Sequence, residues 1–436
     1  MPQLPPGGSN SRTPRDQYIA DPGLAELGDR RISYAARAMP LLSHLTRRFA
    51  AEQPFAGLTI VACLHVTAET AVLARALRAG GASVSLAASN PLSTQDDVAA
   101  ALASVDGMAV YARAGVDRRT YYEHIALALD CVPPGPDLLI DDGGDLIQTL
   151  YTERAALIPH VKGGCEGTTT GILRLRRMAA EGALAFPMIA ASETPATRLM
   201  ENLRGTAQSV IDGLLRASGV LLAGKTVVVA GFGACGTGIA EAAHGLGARV
   251  IVTEVDPVRA LDAVLRGFRV LPLADAAPLG EVFITATGSA AVITAEHMAL
   301  MPDGAILANA GHFDVEIDVR GLADLAVAVH PDVRPHCDAY ELLDGRRLIL
   351  LAEGRVVNLV AAEGHPPEVM DLAFGIEALA LAWLAGNAGK LAPEVHPVPP
   401  ELDAEAASMV LAALGAQIDT LTQAQREYLA SWRLRF

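Results

Sequence analysis

The feature that most constrains the fold is a glycine-rich turn in VVVAGFGACGTGIAEAAHGLGARVIVTEVD. Residues 227–230 form a β-branched run, and Gly231, Gly233 and Gly236 follow it with the spacing GxGxxG. Glycines there let the backbone approach a pyrophosphate, which lies at the positive N-terminus of the next helix. Glu254 ends the next β-branched run, where a carboxylate accepts hydrogen bonds from ribose hydroxyls and repels a 2′-phosphate. We therefore predict an NAD site; the alternative is a tight turn in a flavin or other nucleotide-binding fold.

Short apolar runs alternate with Ala- and Leu-rich stretches along most of the chain. The candidate strands are LTIVACLH, ASVSLAAS and PDLLIDD, then KTVVVAGFG, ARVIVTEVD, EVFITATG, GAILANAG and LAVAVH. This alternation favours parallel sheets with crossover helices. We expect an α/β protein with two doubly wound parallel-sheet domains.

The second series of strands interrupts the first domain in the expected organisation. We expect a substrate-binding domain at residues 1–202 and 365–400, an inserted Rossmann NAD domain at 203–364, and a C-terminal helical arm at 401–436. The polar segment MPQLPPGGSNSRTPRD is predicted to be a disordered arm and not a signal peptide.

Charge and cysteine usage restrict the partners. The formal net charge of −15 disfavours nucleic acid and anionic membranes, which would be repelled. The five cysteines form no CxxC pair and indicate reduced thiols, without a disulfide framework or a metal site. No run of about 18 uncharged apolar residues is present to span a bilayer. We expect a cytoplasmic protein.

Several further motifs occur in one order along the chain. They are CLHVTAETAVL, SNPLSTQDD, DDGGDL, TTTG, AGFGACGTG, TEVDP, GHFDVEID, LLAEGRVVNL and GHPPEVM. In this order and over residues 21–432, the chain resembles the S-adenosylhomocysteine hydrolases. GHFDVEID and LLAEGRVVNL are the most specific of these motifs.

The resemblance implies a reaction. In that family, bound NAD oxidises the 3′-hydroxyl of an adenine nucleoside, a base removes the acidified 4′ hydrogen, and the 5′ substituent leaves by elimination. Water then adds and the hydride returns, so the cofactor is regenerated in each turnover. Such chemistry needs acid–base groups in a dry cleft. The resemblance also implies a homotetramer.

The family's site residues carry over position by position. His65, Asp142 and His312 match acid–base positions. Thr67, Glu69 and His365 match the adenine pocket, and Thr168 a ribose contact. Asn309 and Asn358 match positions beside the nicotinamide; Thr169, Thr170, Asn202 and Thr287 complete the expected cofactor contacts. Without the resemblance, each of these features has an ordinary interpretation. A histidine after a strand is more often structural, and DDGGD is also compatible with a turn or a metal-binding loop. Glu69 is also compatible with a solvated acid in the first turn of a helix.

Three positions in the sugar site depart from the family. The motif Glu-Glu-Thr-Thr-Thr reads Glu166-Gly167-Thr168-Thr169-Thr170 here, and a family Lys and Asp are replaced by Thr197 and Glu201. Gly167 and Thr197 are expected to border the substrate, with Gly167 leaving room for an extra sugar substituent, and Glu201 to act as a base. Arg198 would point about 100° away on an α-helix and is no obvious substitute for the lysine. The chain also lacks the Lys-x-x-x-Tyr extension at the C-terminus.

These departures lead to three hypotheses. The favoured one is a nucleoside 5′-dehydratase (a lyase that releases water and leaves a 4′,5′-unsaturated nucleoside), resembling adenosylhomocysteinase-like enzymes of nucleoside-antibiotic biosynthesis such as the angustmycin pathway. The second is an S-adenosylhomocysteine hydrolase with a rebuilt sugar site. The third is a non-catalytic sensor of NAD and adenosine that regulates a partner.

Overall fold

The computed structural model describes residues 17–130 and 134–432, so the predicted N-terminal arm lies outside the described residues. Two sheets organise the molecule. Their strands are β1 Thr59–Leu64, β2 Ser83–Ala88, β3 Met108–Tyr111, β4 Leu138–Asp141, β5 Gly163–Glu166, β6 Met188–Ala190, β7 Thr226–Ala230, β8 Arg249–Thr253, β9 Arg269–Val270, β10 Val282–Thr285, β11 Ile306–Asn309, β12 Ala326–Arg334, β13 Cys337–Leu342, β14 Arg347–Leu351 and β15 Val395–Pro397.

Helices cover the faces of both sheets. They are α1 Ala25–Ala36, α2 Pro40–Glu52, α3 Ala68–Ala79, α4 Asp96–Ala103, α5 Arg118–Asp130, α6 Asp145–Glu153, α7 Thr169–Ala180, α8 Pro195–Thr197, α9 Thr206–Ser218, α10 Ala234–Gly245, α11 Pro257–Leu265, α12 Leu273–Ala276, α13 Ala295–Met298, α14 Val319–Leu325, α15 Val357–Val360, α16 Pro367–Asn387, α17 Pro400–Ala413 and α18 Gln423–Ala430. A π-helix, Arg198–Gly205, connects α8 to α9.

The first sheet is parallel throughout, in the order β15-β6-β5-β4-β1-β2-β3. The strand order reverses beside β1, which pairs with both β2 and β4, and Cys63 lies opposite Asp141 in the register. Ligands of open α/β sheets bind at the carboxyl ends of strands at such a reversal. His65 and Asp142 follow these two paired strands, so the topology brings them together.

The second sheet has the order β12-β13-β14-β11-β10-β7-β8-β9. It reverses beside β7, where the glycine-rich turn begins. The predicted α/β class with two parallel-sheet domains is confirmed; within the second sheet, β13 runs antiparallel to both β12 and β14. The short connections on either side of β13 permit hairpins, whereas a parallel pair needs a long crossover.

Helix α16 is the most apolar long helix among the described residues. By length and composition it would span a bilayer, but 72% of its apolar window is buried inside the protein. It packs against α2, α3 and α17 and contributes to the first core. Its composition is thus explained by burial in the protein. The chain then returns to the first sheet, where β15 pairs with β6.

Candidate active site

A cleft of about 1360 Å³ lies between the carboxyl ends of the two sheets. Its volume exceeds the ~300–1,000 Å³ typical of one small ligand, as a cofactor and a substrate together require. Most of the predicted site residues line it: His65, Thr67, Glu69, Asp142, Gly167, Thr168, Thr169, Thr170, Glu201, Asn202, Gly231, Gly233, Glu254, Thr287, His312, Asn358 and His365. Thr197, Gly236 and Asn309 do not line it.

The glycine-rich turn is built for a close backbone approach. Gly231 has φ of 94°, a left-handed conformation that favours glycine. A β-carbon at Gly236 would overlap the carbonyl oxygen of Gly231, so this glycine permits the tight packing of turn and helix. Glu254 accepts hydrogen bonds from the backbone N–H of Phe232 at 2.7 Å and of Val255 at 2.6 Å. Although burial opposes it, backbone hydrogen bonding lowers the pKa of Glu254, so it presents a carboxylate to the cleft.

The two asparagines expected beside the nicotinamide differ in their surroundings. Asn358 donates to the Ser209 hydroxyl at 3.0 Å, while its buried Oδ1 has no partner among the described residues. An unpartnered acceptor lining the cleft fits a carboxamide N–H. Together with the turn and Glu254, this atom shows that the residues present fit NAD.

Asn309 does not line the cleft, contrary to the expectation that it contacts the nicotinamide. It is completely buried, and its amide is engaged by five hydrogen bonds: Thr285 Oγ1 and Gly311 N donate to Oδ1, and Nδ2 donates to the carbonyls of Gly311, Phe313 and Gly354. Because both Oδ1 and Nδ2 have partners within the protein, Asn309 stabilises the loop after β11, and its side chain has no free donor or acceptor for the cofactor.

Two histidines face each other in the cleft. The rings of His65 and His312 have centroids 6.0 Å apart and an interplanar angle of 74°. Burial, with the neighbouring His312, lowers the pKa of His65 to about 3, and burial lowers that of His312 to about 4. Both imidazoles are therefore neutral near pH 7 and able to accept a proton.

The tautomer of His65 follows from its neighbours. The hydroxyl of Ser93 donates its proton to the carbonyl of Asn90 at 3.1 Å and lies 2.7 Å from Nδ1 of His65. If Ser93 donates to Asn90, it accepts from an Nδ1–H of His65, because a hydroxyl has one proton to donate. In that arrangement Nε2 of His65 is the proton acceptor of the ring.

Several carboxyl groups line the part of the cleft where the family resemblance places the sugar. Burial, with Glu201 nearby, raises the pKa of Asp142 to about 7, and burial raises that of Glu201 to about 7. A third carboxyl comes from Glu377 on α16, whose pKa is raised well above its usual range by burial, then by Asp142 and Glu201. Groups with pKa values near neutrality can donate or accept protons under working conditions. Among the described residues, no lysine lines the cleft.

The expectation of open space beside Gly167 is wrong. A β-carbon there would overlap Oδ1 of Asp142 and lie 2.7 Å from Oε1 of Glu377. The room left by the missing side chain is taken by these two carboxyl groups, one from the loop after β4 and one from α16.

The expectation that Thr197 borders the substrate is also corrected. Thr197 is only 2% exposed; its hydroxyl donates to the carbonyl of Ala191 at 3.3 Å and accepts from Thr194 at 2.9 Å, so it is not placed to bind substrate. Arg198, the next residue, lines the cleft while Thr197 does not, in agreement with the rotation of about 100° between consecutive helical residues.

The family resemblance assigns three of the cleft residues to the adenine pocket. Thr67, Glu69 and His365 line the same cleft, and Thr67 hydrogen-bonds Glu69. Burial raises the pKa of Glu69 and lowers that of His365 to about 4. The carboxyl of Glu69 is thus withdrawn from bulk water and not a solvated helix acid.

Sequence reasoning missed residues that support the site. Glu166 accepts from Gly143 N and Thr168 N, each at 2.9 Å, and holds two loops in register. The sequence could have identified Glu377 as a site residue, because it is the single acid within the apolar run LAFGIEALALAWL. Burying a carboxyl in an apolar helix is unfavourable, so such a residue points to a site.

Family models match two parts of the chain. Residues 16–156 match S-adenosyl-L-homocysteine hydrolase, and residues 202–364 match the NAD-binding domain of S-adenosyl-L-homocysteine hydrolase. Among solved structures, the NAD+-bound 3-phosphoglycerate dehydrogenase of Entamoeba histolytica is similar with a TM-score of 0.42 and 16% identity, covering 76% of this chain and 96% of that one. That likeness is too distant to bear on function.

Curated relatives match over nearly their whole length. The adenosylhomocysteinase of Thermosynechococcus vestitus is 51% identical over 97% of both chains. Those of Aquifex aeolicus and Thermococcus kodakarensis are each 50% identical, over 95% and 96% of this chain and 99% and 98% of theirs. The chain therefore belongs to the S-adenosyl-L-homocysteine hydrolase family, with NAD as its cofactor.

Proposed function

We propose that this chain removes the 5′ substituent of an adenine nucleoside, and that S-adenosylhomocysteine, giving adenosine and homocysteine, is its substrate. The observation that carries the proposal is the facing pair His65 and His312 in the cleft that also contains the dinucleotide turn. The names of the relatives, at about half identity throughout the chain, support the hydrolase reading over the dehydratase favoured from sequence alone.

The residues divide the work by their protonation states. The neutral imidazoles of His65 and His312 accept a proton from carbon or water and return it to the leaving group. Asp142 and Glu201 exchange protons near neutrality and serve the sugar hydroxyls. NAD, held by the glycine-rich turn, Glu254 and Asn358, would supply a reversible hydride acceptor for the sugar. Partial burial of these groups in the cleft limits their contact with bulk water.

Glu377 supplies a carboxyl group near the position where the family motif has one and this chain has Gly167. The family's second motif carboxylate is absent at Gly167, but Glu377 places a carboxyl against the same point. In this proposal the sugar site is rebuilt from α16 and Glu201, and no hydroxyl partner is missing on that side.

A second candidate function, the nucleoside 5′-dehydratase, is favoured by one observation. Asp142 and Glu201 have pKa values of about 7, so protonated carboxyl groups are available beside the sugar. Hydroxide is a far poorer leaving group than a thiolate and has to be protonated as it departs. An acid-rich sugar site without a lysine suits that step.

One experiment separates the two. The NAD-loaded protein is given S-adenosylhomocysteine in one reaction and adenine nucleosides with a free 5′-hydroxyl, including ketose-derived ones, in others. Homocysteine, detected as free thiol, supports the hydrolase and contradicts the dehydratase. Loss of one water from a nucleoside, seen by mass spectrometry without thiol release, supports the dehydratase. Neither product would overturn both functions.

A further inference from the structure

Glu377 is a buried acid whose hydrogen bonding is incomplete. Its side chain is 4% exposed on α16, and its Oε2 has no partner among the described residues. A buried polar atom left without a hydrogen-bond partner lowers the stability of the folded protein. In a helix that is otherwise apolar, an acid that costs stability in the free protein points to a ligand that pairs with it.

The position of Glu377 shows which ligand group it meets. Its Oε1 lies 2.7 Å from the point that a β-carbon would occupy at Gly167, and the side chain lines the cleft. A side chain at position 167 would displace it. Gly167 and Glu377 therefore form a complementary pair, in which the absence of a side chain on one element admits a carboxyl from another.

We propose that Glu377 is a specificity-determining residue that hydrogen-bonds a hydroxyl of the substrate's sugar ring. The inference rests on the proposed function only for the ligand class, an adenine nucleoside. The surrounding carboxyls, Asp142 and Glu201, give this end of the cleft an acidic character that disfavours a phosphorylated sugar and suits neutral hydroxyls. A sugar hydroxyl can donate to a carboxylate or accept from its protonated form, so it can hydrogen-bond Glu377 in either protonation state.

Deleting both partners of the bond tests this. Dissociation constants are measured by calorimetry for adenosine, 2′-deoxyadenosine and 3′-deoxyadenosine, with the protein loaded with NADH so that it cannot oxidise the sugar. Glu377→Ala is expected to weaken adenosine binding by about tenfold or more. For the deoxynucleoside that lacks the partner hydroxyl, the same substitution should change binding by less than about threefold.

Two further variants keep the test decisive. Glu377→Gln fills the same volume and retains a donor and an acceptor, so it should recover part of the affinity for adenosine. Glu368→Gln changes an exposed acid on the same helix and should leave all three affinities unchanged. Circular dichroism and the melting temperature confirm that each variant is folded.

The outcomes separate the two proposals. Equal weakening for all three nucleosides, or none for any, with the wild type still binding them, overturns the role of Glu377 alone. A wild-type protein that binds no adenine nucleoside overturns the inference together with the proposed function. Hydroxyl-dependent binding without turnover of any nucleoside supports the role of Glu377 while contradicting the proposed function.

Discussion

The imidazole of His312 packs directly over Gly143, so closely that a β-carbon at position 143 would overlap Nε2 of the ring. Gly143 follows β4 of the first sheet and His312 follows β11 of the second, so this contact joins the two sides of the cleft. Gly143 also has φ of 102°. The first glycine of DDGGD is therefore required both by its backbone and by the histidine that crosses the cleft.

Replacing this glycine should disable the site more than the fold. Gly143→Ala is expected to lower kcat about 100-fold, because the new methyl group displaces His312 and small misplacements of catalytic groups are that costly. Gly115→Ala is the matched control: Gly115 has φ of 70°, but no described heavy atom lies within 4 Å of its β-carbon point. Both variants should lose similar stability in thermal melts. Equal losses of kcat would contradict a specific contact with His312.

Glu201 should make the free protein less stable at higher pH. Its pKa is 4.5 ordinarily and about 7 in the fold. As the pH rises from 4.5 to 7, the unfolded chain releases the proton and the folded protein retains it, so stability from this group is present below 4.5 and lost by 7. Glu201→Gln should therefore raise unfolding free energy by about 1–3 kcal/mol near pH 8 and have little effect near pH 4.5.

Denaturant unfolding at both pH values measures this difference. Glu181→Gln, an exposed acid at the end of α7, is the control and should show no such dependence on pH. A Glu201→Gln variant that is equally stabilised at both pH values would contradict a proton retained by burial.

The two asparagines should separate stability from cofactor binding. Asn309→Ala removes a side chain with five hydrogen bonds and is expected to lower unfolding free energy by about 2–4 kcal/mol. Asn358→Ala removes one bond, to Ser209, at a cost of about 1 kcal/mol. It should weaken NAD binding about tenfold, since its free Oδ1 is the expected partner of the carboxamide. Melting curves and fluorescence titration with NAD test the pair, and reversed effects would contradict the assignment.

Exchange of a carbon-bound hydrogen distinguishes an enzyme from a sensor. In deuterated water, NAD-loaded protein with adenosine should place deuterium at the 4′ carbon, detected by NMR, because the proposed reaction removes and returns the 4′ hydrogen. Asp142→Asn should slow exchange by about 100-fold. The exposed Asp106→Asn should not change it. No exchange with the wild type would support the regulator hypothesis and contradict turnover.

Much of the site could be predicted because its parts are local in sequence. The dinucleotide site is specified by a strand, the three glycines after it and an acid at the end of the next strand. The backbone conformations of this turn depend on a few consecutive residues, so the motif can be recognised from sequence. Likewise, His65 and Asp142 each follow an apolar strand, and parallel strands bring such ends to one edge of a sheet. The antiparallel hairpins around β13 were missed because alternation alone does not give strand direction.

The sequence by itself determined the α/β class, the cofactor turn and the chemical character of most cleft residues, because short-range pattern fixes these. Only the tertiary structure decided that Glu377 lies beside Gly167 and that the side chain of Asn309 is fully hydrogen-bonded to the loop after β11. It likewise decided that Thr197 is buried while Arg198 lines the cleft. Each of these depends on side chains from distant elements meeting in space. Burial at that meeting point, and not residue type, sets whether a carboxyl holds its proton and which group remains free for a ligand.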